Sequence, residues 1–424
     1  MHALTTALAL LLSCAACAVP QRGEAILRQR GSAARPAGHK LWPCMAQAVA
    51  MRGWRATSCG HAWLRLRGAG SDGPECKGAE SPRAVHVLTR KMEDVWRTAD
   101  VLRRRRQQQP APSCASTGSV LVSAPPARSL GDGGAQEPGA GMEEGACPDW
   151  GATQCMLAEL QGHLCDPSAL LRHEVCYALG QTGLAQAGQT LMLVLQNASE
   201  HAMVRHEAAE GLAALCAHSN AEDNVTQEAL CLLQRGISDT CREVAETCQV
   251  AAARLSWQPT AASSGTSGEE TVPYVSVDPA PPMEGETNTD HLAEVLLDPA
   301  RPLFERYRAM FQLRNLGGAA SVTALCRAMH DSSALLRHEA AFVLGQLGDG
   351  AAEGALAAVL RNPQEQSMVR HEAAEALGVL GEDSCRKILS EFVRDNDPVV
   401  AESCLLALDM QQYWSAFKNS KEGL

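Results

Sequence analysis

The tripeptide Arg-His-Glu occurs four times, as Arg172-His173-Glu174, Arg205-His206-Glu207, Arg337-His338-Glu339 and Arg370-His371-Glu372. Within each pair the histidines lie 33 residues apart, and the second pair repeats the first at an offset of 165. Spacing this strict requires a duplicated array of short repeats that present the same polar pair at one position. Four imidazoles and four carboxylates gathered by such an array suggest a centre for two metal ions.

The duplication runs beyond the tripeptides. Ser168-Ala-Leu-Leu-Arg-His-Glu174 returns as Ser333-Ala-Leu-Leu-Arg-His-Glu339, and Leu179-Gly-Gln181 as Leu344-Gly-Gln346. Met203-Val-Arg-His-Glu-Ala-Ala-Glu210 returns as Met368-Val-Arg-His-Glu-Ala-Ala-Glu375. Further on the offset falls to 156, where Val244-Ala-Glu-Thr-Cys248 pairs with Val400-Ala-Glu-Ser-Cys404. The first half therefore carries nine extra residues, placed most simply as a surface loop in the polar stretch 216–228.

Each unit reads as two helices. Across 335–347 the apolar residues Leu335, Leu336, Ala340, Phe342, Val343, Leu344 and Leu347 recur at steps of three and four, a helical period. Asp331 and Ser332 supply cap chemistry before it, and Gly348-Asp349-Gly350 ends it. A second helix follows over 351–360. Such a unit cannot bury its apolar face alone, so stacked neighbours build one core and the fold is an all-α solenoid. Few aromatics (4%) and the absence of strand-like alternation agree. Equivalent positions stack side by side, so His173 should neighbour His206, and His338 should neighbour His371. Two such walls facing each other would enclose a polar pocket between the halves.

At these residues the chain resembles the deoxyhypusine hydroxylases, members of the HEAT-repeat proteins. The resemblance rests on the paired motifs above, on Glu243-Val-Ala-Glu-Thr-Cys-Gln249, on Tyr274-Val-Ser-Val-Asp-Pro-Ala-Pro-Pro282 and on the stretch 301–317. It covers roughly residues 155–412. It implies a HEAT-type α-solenoid of two half-arrays facing each other, and a non-haem di-iron monooxygenase with two Fe(2+) per chain. The implied substrate is the deoxyhypusine side chain of the hypusine-bearing translation factor, hydroxylated with O₂ and electrons from an unidentified donor. The family's ligands carry over onto His173, Glu174, His206, Glu207, His338, Glu339, His371 and Glu372. Within that set the resemblance makes the four histidines with Glu207 and Glu372 the closest ligands, and Glu174 and Glu339 the catalytic pair that faces the amine.

The residue chemistry agrees. Mixed imidazole and carboxylate ligation suits iron, manganese or zinc without ranking them. Four carboxylates in one cavity repel without a metal, and some must protonate. Residues 21–110 carry 18 Lys and Arg against 7 Asp and Glu, so the total charge of −11 leaves the rest strongly acidic. An acidic surface favours encounter with a basic protein loop. Two other readings stand beside this one: a non-catalytic HEAT scaffold for protein partners, and a zinc hydrolase on the same ligands. Glu210 and Glu375, four residues after His206 and His371, support the ligands or are plain surface residues. The four arginines read as ion-pair partners between repeats, and Met203 and Met368 as core. The 17 cysteines form no metal framework; Cys14 and Cys17 make the sole Cys-x-x-Cys, and those in the repeats read as small buried residues of a reducing compartment.

The N-terminal region departs from the pattern. Residues 1–20 form a possible targeting segment, and 21–150 a low-complexity, mostly disordered extension in which 85–106 can form one basic helix. Residues 103–106 read as a solvated helix end rather than a nucleic-acid site. The unit at 301–318 has its fixed-offset equivalent at 136–153, which Pro and Gly break, so the N-terminal half, 151–258, lacks its opening repeat. On this reading residues 1–150 are dispensable for folding. A flexible linker follows over 259–290, then the C-terminal half over 291–412 and a tail over 413–424. The expected protein is a cytoplasmic monomer without membrane or nucleic-acid partners. The N-terminal segment leaves open an organellar presequence, or non-coding sequence read as protein.

Overall fold

The computed structural model describes residues 82–108, 148–217, 224–257, 274 and 276–422. The targeting segment, most of the N-terminal extension, the centre of the expected loop at 216–228 and the first part of the linker lie outside the described residues.

Among the described residues the regular structure is entirely helical. The first half comprises α1 (Pro82–Gln108), α2 (Pro148–Gly162), α3 (Ala169–Thr182), α4 (Ala185–Gln196), α5 (Ala202–Cys216), α6 (Asn224–Gly236) and α7 (Arg242–Ser256). The second comprises α8 (Thr289–Leu297), α9 (Leu303–Leu316), α10 (Gly318–Ala328), α11 (Ala334–Leu347), α12 (Glu353–Leu360), α13 (Ser367–Leu380), α14 (Asp383–Glu391) and α15 (Pro398–Glu422). Of the expected tail at 413–424, residues 413–422 continue α15.

Local chemistry sets the boundaries at duplicated positions. The Ser168 hydroxyl accepts the Leu171 N–H at 3.0 Å and starts α3; Ser333 does the same for Leu336 at 3.1 Å and starts α11. The cap is therefore one residue later than Ser332, while Asp331 accepts the Ser333 N–H. Gly183 and Gly348, at φ 62° and 59°, end those helices in the left-handed conformation that only glycine adopts freely.

Helices α1, α3, α5, α7, α9, α11, α13 and α15 form an inner row, each packing on the next. The row closes on itself, because α15 packs against α1 and α3 while α7 packs against α9 and α11. The other helices cover the outside, α4 against α5 and α12 against α13, for example. Buried Leu, Val and Ala from every repeat form one continuous core.

Two expectations are corrected here. The opening repeat is not missing: α1 occupies the inner row beside α3, with α2 packed on it. Met92, Val95, Trp96, Ala99 and Leu102 make the buried stripe of α1, and Trp96 meets Tyr177 of α3 edge-on at 5.3 Å. Lys91 pairs with Asp166, and the polar face carries Asp100 bonded to Arg103 and Arg104 at 2.8 and 2.7 Å. A fixed offset of 165 could not find this repeat, since 109–147 intervene between its two helices.

The linker is the second correction. Residues 276–288 are strapped down rather than free. Gln181 Oε1 accepts the Val277 N–H at 2.9 Å, and Gln346 Nε2 donates to Ser276 Oγ at 3.5 Å. Arg314, 1% exposed, holds the Asp278 carboxylate with both terminal nitrogens at 2.8 and 2.6 Å. The two Leu-Gly-Gln motifs thus grip one strap from both halves.

Candidate metal centre

His173 and Glu174 sit on α3, His206 and Glu207 on α5, His338 and Glu339 on α11, and His371 and Glu372 on α13, one dipeptide midway along each helix. The preceding arginine anchors each helix. Arg172 donates to the Asp166 carbonyl at 2.7 Å and pairs with Glu200 at 2.7 Å; Arg337 does the same with Asp331 and Glu365, at 2.6 and 2.5 Å. Arg205 and Arg370 each donate to a carbonyl of the preceding outer helix at 3.1 Å and pair with Asp239 and Asp395 at 2.5 Å. These are the ion pairs between repeats that the sequence suggests. With the arginine fixed on one side of the helix, the next two residues turn inward.

All eight residues are buried. The imidazoles form one compact group. His173 and His206 lie 5.4 Å apart between ring centres, as do His338 and His371. Across the halves, His173 lies 5.1 Å from His371, and His206 lies 5.1 Å from His338. The halves therefore face each other in opposite order, the first repeat of one against the second repeat of the other.

The carboxylates interleave with the rings. Glu174 and Glu207 approach His173 Nδ1 and Nε2, each at 3.2 Å. Glu372 lies 3.5 Å from His338 and 3.7 Å from His371, and Glu375 reaches His371 Nδ1 at 3.5 Å. His173, Glu174, Glu207, His338, Glu339 and Glu372 line one small cavity, together with Tyr177, Phe342, Glu210 and Glu375. Glu375 is buried, so the plain surface reading fails for it.

The side chains by themselves leave the charge in the chamber poorly balanced. Burial opposes charge on His173, yet Glu174 and Glu207 outweigh it and hold the imidazole well above its ordinary range. Burial, then the neighbouring rings, pushes His206, His338 and His371 well below theirs. Burial lifts Glu372 to about 8, with Glu174 and Glu207 adding to the rise and His173 opposing it. Glu339 rises well above the carboxylate range through burial, then through Glu372, Asp278 and Glu207.

Both ring nitrogens of His206, His338 and His371 are buried without a hydrogen-bond partner, as is Glu207 Oε1. Buried polar atoms of this kind are rare in folded proteins. A cation among them satisfies the nitrogens and offsets the carboxylate repulsion at once, so the donor set fits metal. Among the described residues, three groups bring ligand atoms close enough for one ion: His173 with His206 and Glu207, His173 with His338 and His371, and His371 with Glu372 and Glu375. Glu174 and Glu339 belong to none of these groups.

Sequence reasoning missed Tyr177 and Phe342 as cavity walls, although both stand four residues after a chamber histidine and 165 apart. It also overstated cysteine burial. Cys176, Cys216, Cys248, Cys385 and Cys404 are buried, but Cys155, Cys165 and Cys231 are exposed on outer elements. Met203 and Met368 are core. No described helix is long and apolar enough to cross a membrane.

HEAT repeats match residues 322–409, and the PBS lyase HEAT-like repeat matches 305–331. The chain is 48% identical over 251 residues to deoxyhypusine hydroxylase of Mus musculus, covering 59% of this chain and 79% of the relative. It is 50% identical over 249 residues to that of Gallus gallus, covering 58% and 78%. The structure of human deoxyhypusine hydroxylase in complex with glycerol superposes with a TM-score of 0.54 at 36% identity, covering 78% of this chain and all of that one.

Proposed function

This chain belongs to the deoxyhypusine hydroxylase family, and from that membership we propose that its four His-Glu pairs hold two iron ions beside a substrate chamber. It is an oxidoreductase that hydroxylates deoxyhypusine on a protein substrate. The finer reading makes that substrate the hypusine-bearing translation factor, with O₂ as oxidant and a separate electron donor. The observation that carries it is the set of partnerless imidazole nitrogens converging in a buried, carboxylate-lined chamber. A protein scaffold gains nothing from burying such a set.

His173, His206, His338 and His371, with Glu207 and Glu372, are the proposed ligands, in neutral-imidazole and carboxylate form. Iron held by these residues would supply the redox chemistry that activates O₂ for insertion of one oxygen atom into a C–H bond of the side chain. Over one turnover the donor supplies two electrons and two protons in all, so that one atom of O₂ becomes the hydroxyl and the other becomes water. Glu174 and Glu339, outside every ion-sized group, are the proposed amine-facing pair: a carboxylate there binds an ammonium group and orients the aliphatic chain. Tyr177 and Phe342 wall the same cavity and keep water from the reacting carbon.

The test is iron content of the purified protein beside His173→Ala and His338→Ala, with mass spectrometry of a deoxyhypusine-bearing protein substrate after exposure to O₂. About two irons per chain, lost in either variant, together with gain of one oxygen atom, supports the reading. A wild type that stays metal-free after anaerobic ferrous loading sinks it.

A further inference from the structure

The chamber is duplicated, but the side chain that enters it is not. Deoxyhypusine has a secondary amine where the aminobutyl group joins lysine and a primary amine at its tip, one tetramethylene apart. A pocket with pseudo-symmetric halves must still bind it in one direction.

The two halves differ at one duplicated carboxylate. Glu375 on α13 approaches His371 Nδ1 at 3.5 Å and shares an ion-sized group with His371 and Glu372. Its counterpart Glu210 on α5 lines the same cavity but belongs to no such group. Glu210 makes no hydrogen bond or ion pair with any described residue. It also borders a small, mostly apolar recess whose lining includes Ala213, Thr247, Val250, Ala251, Pro279 and Tyr307. Glu210 is half-buried, faces a carboxylate-rich cavity and has no cation bonded to it, so a cation that arrives there gains a charge-assisted partner.

We infer that Glu210 binds the terminal ammonium of the substrate side chain, and so fixes the direction in which the tail lies across the chamber. The inference rests on the proposed hydroxylase function and goes beyond it by naming a binding residue outside the four His-Glu pairs. The geometry gives Glu375 to the metal side and Glu210 to the substrate. Glu174 and Glu339 remain available to the secondary amine.

The experiment compares wild type with Glu210→Gln and Glu375→Gln, after circular dichroism and iron analysis of each. Two substrates are offered: a deoxyhypusine-bearing protein, and one whose tail ends in methyl instead of ammonium. Losing a charge-assisted hydrogen bond should raise KM for the natural tail by about tenfold or more in Glu210→Gln. Iron content should match wild type, and the preference for the amine-tipped tail should collapse. Glu375→Gln should lose iron instead. Retained preference in Glu210→Gln, or loss of its iron, overturns the assignment. So does a Glu375→Gln protein that keeps its iron and loses the preference. A wild type that holds iron yet oxidises neither tail fails the parent function, a result distinct from all of these.

Discussion

The Ser168 hydroxyl donates to Glu402 Oε2 at 2.7 Å although 234 residues separate them in the chain. The same contact recurs at the opposite junction, where Ser333 donates to Glu246 at 2.6 Å. Each serine is also the N-cap of the helix that carries a chamber histidine. Closure of the inner row and placement of the site therefore share two hydroxyl groups.

Replacing Glu402 with Ala should cost about 1.5–3 kcal/mol, the usual range for a hydrogen bond to a charged group. Ser168→Ala should cost that and about 1 kcal/mol more, for the lost cap. Because both remove one contact, the double variant should lose less than the sum of the singles. Denaturant titration of the three proteins decides the matter; additive losses would mean the contact contributes nothing.

Gly180 and Gly345 occupy the same place in the two Leu-Gly-Gln motifs but should not tolerate alanine equally. A Cβ at Gly180 would lie 2.5 Å from the Gly211 Cα and 2.8 Å from its carbonyl oxygen, all backbone that cannot give way. At Gly345 it would meet the Ala376 Cβ at 3.2 Å, which a small shift relieves. Gly180→Ala should cost about 3 kcal/mol or more, and Gly345→Ala about 1 kcal/mol. Equal melting temperatures for the two variants would contradict the close approach of α3 and α5.

Arg205 holds the Asp239 carboxyl below its ordinary range, chiefly through the hydrogen bond between them. A depressed folded value means that this stability is fully present above pH about 4 and is lost as pH falls through the folded value. Asp239→Asn should therefore be less stable than wild type at neutral pH, by about 1–3 kcal/mol. The deficit should shrink as pH drops below about 4, since wild type loses the contribution there and the amide has none to lose. Stability measured from pH 7 to pH 2 for both proteins provides the check; a constant gap would assign the loss to packing.

Iron content should divide the four glutamates. Glu207→Ala and Glu372→Ala should lose metal, whereas Glu174→Ala and Glu339→Ala should keep it and lose turnover. Chelation of wild-type protein should lower its melting temperature, since bound metal stabilises only the folded state. Equal iron loss in all four variants would erase the division of labour.

Arg314→Ala should release the strap. Asp278 would lose its partner, and residues 276–288 should become the first site cut in limited proteolysis while the helices resist. An unchanged digestion pattern would mean that Gln181 and Gln346 suffice to hold it.

The four His-Glu pairs were legible because duplication printed them at one offset, and helical periodicity located their helices. The chamber's closure was not. Its junction contacts pair residues drawn from different offsets: Ser168 and Ser333 are related by 165, Glu246 and Glu402 by 156. No single alignment of the halves exposes them. The helix expected over 85–106 was not recognised as part of the opening repeat for a related reason, since the residues between α1 and α2 break the register. The strap was hidden by its composition. Pro and Ser around Asp278 read as linker, and only the tertiary position of Arg314 shows what that aspartate is for.

An open solenoid melts from its tips, because terminal repeats have one neighbour each and stability is close to a sum over repeats. A row whose last helix packs on its first has no tips. Its earliest and latest segments must meet before either is fully stabilised, which raises contact order and slows folding relative to an open array of equal length. The compensation is cooperativity: damage to α15 should be felt in α1, and the protein should unfold as one unit rather than fray.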